Sequence, residues 1–276
     1  MQASCPRRAP FLGCRKCDNS KPMPETAIAN EGGARARTGP ARWLAPVLML
    51  ACYEATQWAT HASQVSARIL PPGVVERRTW IGAYEHHLMQ MVVALALIAL
   101  LGRGKFSEWG LNLRNRPASL RALGWFCLVY LPIVLAVNVV GPWLLRQRPS
   151  FGYPVDTVNV AGWLSFAWLF VGFSEEILFR GLIQTFLART WTGVWQIGNV
   201  TMPHAGLIAT VIFCLAHINL LHPHVHWDQQ VWALGLGLFY SAVYYRTGSL
   251  LATILAHNYS DGMMFAAQYA VYGLLR

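Results

Sequence analysis

Between residues 161 and 186 the chain is long and apolar enough to cross a bilayer, yet it carries Glu175, Glu176 and Arg180 inside that run. The stretch reads Ser174-Glu175-Glu176-Ile177-Leu178-Phe179-Arg180-Gly181. An ionised group at membrane depth costs about 2.5–3.5 kcal/mol or more, so such groups face a protein interior and take partners there. The remainder of the chain must therefore fold into something that shelters them.

Runs of the same kind recur, at 43–58, 87–101, 123–145, 160–187, 205–221, 231–245 and 250–275. The first is short and interrupted by Glu54 and Gln57. The fourth is long enough to be tilted, kinked or continued past the bilayer. Only 12% of residues are charged, against about 25% in a soluble domain. The expected fold is all-α: a multi-pass transmembrane helical bundle of about seven spans, six if the first does not cross. One membrane domain, 43–276, accounts for the length, and no internal repeat is visible.

Residues 1–42 are polar, rich in Pro, Gly and Arg, and aperiodic, the pattern of a disordered basic tail. No apolar stretch follows the first charges, so no cleavable signal peptide is expected. Met23 opens a more ordinary lead into the first helix, which would make 1–22 an upstream extension.

The net charge of +10 would suggest nucleic acid in a soluble protein. Here the basic residues are scattered among loops, and no nucleic-acid partner is expected. They set orientation instead. With the N-terminus inside, ten basic residues flank the inner span ends (Arg35, Arg37, Arg42, Arg103, Lys105, Arg114, Arg116, Arg121, Arg189, Arg246) and six the outer ones (Arg68, Arg77, Arg78, Arg146, Arg148, Arg276). A cytoplasmic N-terminus in a cell membrane follows, and the excess of Arg over Lys fits a GC-rich bacterial genome. Trp43, Trp58, Trp80 and Trp143 look like interfacial anchors.

Helix geometry separates the two glutamates. Positions four apart share a face, so Arg180 can pair with Glu176 in a bidentate contact. Glu175 points about 100° away and is the freer carboxylate, suited to act as a general base. The plainer reading is a structural ion pair with one spare acid. Two more spans bring histidines: Phe213-Cys214-Leu215-Ala216-His217, and His257-Asn258-Tyr259-Ser260-Asp261, where His257 and Asp261 share a face. In the N-inside topology these groups and Glu175 reach comparable depth, nearer the cytoplasm.

Other polar residues carry less. Cys52, Cys127 and Cys214 read as small buried hydrophobes, and Cys5, Cys14 and Cys17 as free thiols without a second metal-ligand pair. His222, His224 and His226 alternate around Pro223 as an exposed turn. His86 and His87 are expected at a helix end, where histidine is ordinary, and Glu54 is isolated.

Glu175-Glu176-x-x-x-Arg180, then Phe213-x-x-x-His217, then His257-x-x-x-Asp261 resembles the three-motif signature of the CPBP family, which comprises CAAX prenyl proteases of the Rce1 type and bacteriocin-processing or self-immunity (Abi) proteins. Trp109-Gly110-Leu111 resembles that family's Gly-Leu segment, and the likeness covers about 85–275. The resemblance implies an intramembrane endopeptidase in which Glu175 and His217 activate water, Glu176 and Arg180 support them, and His257 with Asp261 serves the oxyanion. Asp261 departs from the family's frequent Asn. An ionised Asp accepts but cannot donate, so it would orient His257 and leave that residue as the donor. Asn258 lies off that face and does not substitute.

No cofactor is expected. The alternative is a zinc site on Glu175, His217 and His257, against which stand the diverging glutamates and the nearby Arg180 cation. The expected partners are a peptide or membrane-protein substrate and the bilayer. A non-proteolytic immunity or binding protein, or a proton-coupled transporter, would use the same polar groups.

Overall fold

The computed structural model describes residues 43–63, 65–218 and 225–275. The expected basic tail, with Cys5, Cys14 and Cys17, and His222 and His224 lie outside them. Seven principal helices follow in order: α1 Leu44–Ser63, α2 Thr79–Leu101, α3 Arg116–Leu144, α4 Thr157–Leu187, α5 His204–Leu215, α6 Trp227–Thr247 and α7 Leu251–Leu274. Of these, α2, α3 and α4 are both long and apolar enough to cross a membrane. The others are shorter or more polar, so composition alone supports three of the expected seven crossings. On α3, Trp125, Leu128, Val129 and Val137 all point outward, as suits a helix whose solvent is lipid.

The fold is all-α as expected, with one short addition. Strands β1 (Val194–Ile197) and β2 (Val200–Pro203) form an antiparallel hairpin between α4 and α5. Gly198 stands at φ +59 at the first position of its two-residue turn, where a II′ turn calls for glycine.

Two packed regions hold the helices together. Ala45, Met49 and Tyr53 of α1 join Ala94 and Ile98 of α2, Leu178 and Leu182 of α4, and Ala209 and Phe213 of α5. Phe126, Tyr130 and Val134 of α3 pack with Tyr240 of α6 and Ala256 of α7. Small residues let helices close on tryptophan. A Cβ at Gly162 would come within 2.5 Å of the Trp80 ring, and one at Gly262 within 2.3 Å of the Trp168 ring. Trp80 thus seats α2 on α4, and Trp168 seats α4 on α7.

α4 is not one regular helix. It breaks at Phe170 (φ −127°, ψ −45°), and the Gly172 N–H donates to Asn258 Oδ1 of α7 at 2.7 Å. Asn258 therefore satisfies the backbone at the break, consistent with its exclusion from the oxyanion pair. Past Glu176, residues Ile177–Gln184 widen into a wholly buried π-helix, a form often found at functional sites.

The loop after α2 fixes where α7 begins. Trp109 is fully buried, with the Arg189 guanidinium 4.6 Å over its ring. Gly110, at φ +84, accepts the Leu250 N–H at 2.9 Å, while Asn112 Nδ2 donates to the Gly248 carbonyl and Asn115 Nδ2 to that of Thr247. The Trp109-Gly110-Leu111 element is thereby knitted to the α6–α7 turn.

Candidate active site

Glu176 is the anchor. It is completely buried on α4, and its Oε1 accepts from Arg180 Nη1 at 2.8 Å, the expected i, i+4 contact. The expected bidentate pairing does not form. Arg180 Nη2 turns instead to the Gly237 carbonyl of α6 at 3.2 Å, because the guanidinium lies between the rings of Phe213 and Tyr240 (4.7 and 5.2 Å). The cation is thus planar-packed as well as paired, a setting that lysine would not reproduce.

Glu176 Oε1 also takes His257 Nδ1 of α7 at 2.8 Å. A carboxylate oxygen only accepts, so Nδ1 carries the proton. The imidazole is held further by the Tyr240 ring, stacked at 5.2 Å and 21°. Tyr240 is itself bonded to Ser260 at 3.0 Å. Nε2 is then left facing Glu175 Oε2 at 3.6 Å and Asp261 Oδ2 at 3.8 Å. Both distances exceed a direct hydrogen bond, so Asp261 flanks His257 without bonding to it.

Glu175 Oε2 is buried and has no hydrogen-bond partner among the described residues. Exposure grades outward from the pair, with side chains at 0% for Glu176, 6% for His257, 14% for Glu175 and 27% for Asp261. The accessible side of the cluster is accordingly the Asp261 side.

His217 stands in the turn just after α5, which ends at Leu215 rather than continuing to 221 as its hydropathy suggests. Its Nδ1 donates to the Phe213 carbonyl at 2.8 Å, so in the neutral ring the lone pair is on Nε2. Phe213 joins the motifs physically. Its ring lies 4.8 Å from that of His217, 6.1 Å from that of His257 and 4.9 Å from that of Phe179. His217 is within electrostatic reach of Glu175. The six residues singled out by the sequence are therefore brought to one region.

One residue of the cluster reads as ordinary in the sequence. α2 begins at Thr79, eight residues before the expected start, so His87 sits inside the helix and not at its end. Its Nδ1 is 2.6 Å from Ser174 Oγ and 3.9 Å from Glu175 Oε1. The available signal was Glu85-His86-His87, polar residues between apolar ones, with no glycine or proline to end a helix there.

Among the described residues, no group of three or more His, Cys, Asp or Glu side chains is arranged to hold a metal ion.

Residues 157–263 match the family model described as type II CAAX prenyl endopeptidase Rce1-like. The match bears out the CPBP resemblance over that stretch and takes in Glu175, Glu176, Arg180, His217, His257 and Asp261. His87 and Trp109-Gly110-Leu111 lie outside it. The matched family is one of peptidases, and with the apolar helices it indicates a membrane protein. No curated protein and no solved structure matches the chain.

Proposed function

We propose that the chain is an intramembrane glutamic endopeptidase that cleaves peptides or membrane-protein termini near the cytoplasmic face. Water bound beside Glu175 and His217 gives up a proton as it attacks the scissile carbonyl, with Glu175 as the general base. His257, as imidazolium, donates its Nε2–H to the developing oxyanion. Glu176 holds the other nitrogen of that ring, and Arg180 balances the buried charge of Glu176. Asp261, beside Nε2, favours the imidazolium and takes no oxyanion bond itself. Collapse of the tetrahedral intermediate breaks the C–N bond, and the proton held by Glu175 passes to the leaving amine.

The observation that carries this reading is the spacing about His257. Nδ1 is pinned to Glu176 at 2.8 Å while Nε2 stops 3.6 Å from the unpartnered Glu175 Oε2. A base and a donor thus face one another across a gap too long for a direct bond and short enough to be bridged by a reacting group. The chemistry needs no metal, and the N-terminus is assigned to the cytoplasm on the arginine count.

The test is cleavage of prenylated and unprenylated membrane peptides by the purified protein and its Glu175→Gln variant, with and without chelator. We expect cleavage by the native protein alone, unaffected by chelation. Equal activity of the two proteins would remove Glu175 from the mechanism. Loss on chelation that zinc restores would replace the metal-free scheme. Binding without cleavage would point to an immunity-type protein, and uptake into vesicles without cleavage to a transporter.

A further inference from the structure

We infer that His87 is a positioning residue for Glu175, an assignment that rests on Glu175 being the working carboxylate of the proposed centre. Glu175 lies between two imidazoles. His257 Nε2 faces Oε2 at 3.6 Å from α7, and His87 Nδ1 faces Oε1 at 3.9 Å from α2. A carboxylate flanked on both oxygens has fewer orientations open to it than one flanked on a single side.

His87 is itself held in place. Ser174 Oγ, from a wholly buried residue next to Glu175, is 2.6 Å from Nδ1, and the Phe166 ring meets the imidazole edge-on at 4.9 Å. Three residues earlier on the same face, Tyr84 Oη donates to Ser165 Oγ at 3.1 Å, and Ser165 Oγ donates to the Gly162 carbonyl at 2.8 Å. α2 is thereby registered against α4 at two polar contacts, and the second delivers His87 to the glutamate. A base oriented by a neighbour that is in turn oriented by a third group is a recurring arrangement in catalytic centres. Titratable and charged groups around Glu175 are His257 and Asp261 of α7, His217, Tyr53 of α1, and Arg180 and Glu176 on its own helix, with His86 beside His87, so any change at His87 is read against that background.

A purely structural His87 would serve only as the polar contact between α2 and α4. Asparagine separates the two roles. Its amide occupies the place of Nδ1 and can keep the Ser174 contact, but it has no ring to pack against Phe166 and hold that nitrogen toward Glu175. For His87→Asn we expect a melting temperature near that of the native protein and kcat lower by about tenfold with KM unchanged, the pattern of a group acting on the chemical step. His87→Phe should lose at least as much. A second readout does not depend on turnover: modification of Glu175 by a hydrophobic carbodiimide, mapped by mass spectrometry. Both variants should be labelled about threefold faster or more, because a carboxylate released from one flanking imidazole moves more freely and meets the reagent more often.

Equal labelling in all three proteins overturns the inference whatever the cleavage assay gives. With an active native enzyme, an unchanged kcat in His87→Asn overturns it as well. If the native protein cleaves nothing but labelling still changes, the endopeptidase reading fails and the contact between His87 and Glu175 stands.

Discussion

Arg180 and Glu176 invite a double-mutant cycle, because the cost of breaking a buried pair differs sharply from the cost of removing it whole. Arg180→Met deletes the 2.8 Å bond to Glu176, the 3.2 Å bond to the Gly237 carbonyl and two ring contacts. It leaves Glu176 fully buried with His257 as its remaining partner. Stranding one charge of a buried pair costs about 3–5 kcal/mol. Glu176→Gln strands the guanidinium in the same way. In the double variant, methionine fills the space between Phe213 and Tyr240, and the glutamine carbonyl can still accept from His257. No unpaired charge is left, so the double variant should recover about 2–3 kcal/mol of the summed single losses. The assay is the free energy of unfolding in mixed micelles, followed by tryptophan fluorescence. Losses that add to within about 0.5 kcal/mol would mean that the two residues are not coupled and that Arg180 does not balance the buried charge of Glu176.

Three further outcomes are expected. Gly110→Ala adds a Cβ at φ +84 within 2.5 Å of the Tyr244 ring, so backbone and packing penalties together should cost about 2–5 kcal/mol. Gly124→Ala, with nothing within 4 Å, should be neutral or slightly stabilising in the same unfolding assay. At the surface, the hydrogen bond from Arg78, with a lesser contribution from the Asn159 N–H, holds the Asp156 carboxyl below its usual range. A lowered folded pKa gives a contribution that is complete above the ordinary carboxyl value of about 3.9 and lost as pH falls through the folded one. Melting temperatures taken from about pH 6 down to pH 2 should show this loss in the native protein and not in Asp156→Asn.

The parts of the site legible in the sequence are those set by helical spacing within one segment. Glu176 with Arg180, and His257 with Asp261, follow from positions four apart, and both pairs lie as expected, although the first makes a single bond rather than a bidentate one and the second makes none. What tertiary packing decides is not written at that range. Arg180 turns one nitrogen to Gly237 because two rings from other helices fix its plane. His87 was hidden by the polar lead of α2, where Glu85 serves the backbone N–H groups of Val65 and Ser66 at the start of a neighbouring short helix. The break at Phe170 and the π-helix after Glu176 use residues that suit an α-helix equally well, so composition carries no mark of either. The hairpin is different. Val194-Trp195-Gln196-Ile197-Gly198-Asn199-Val200 has a Gly-Asn turn between short β-prone runs, a signal open to reading.

The seating of Trp80 on Gly162 and of Trp168 on Gly262 bears on how a long chain would reach the glutamates. Each indole plugs the boundary between α4 and one neighbour, with Tyr84–Ser165 and Asn258–Gly172 as bolts beside them. Neither boundary can part without unpacking a tryptophan, so on the proposed function neither would serve as a door from the lipid. Covalently bridging α2 to α4, or α4 to α7, should leave turnover intact; a lateral gate at either seam would be locked by the same bridge.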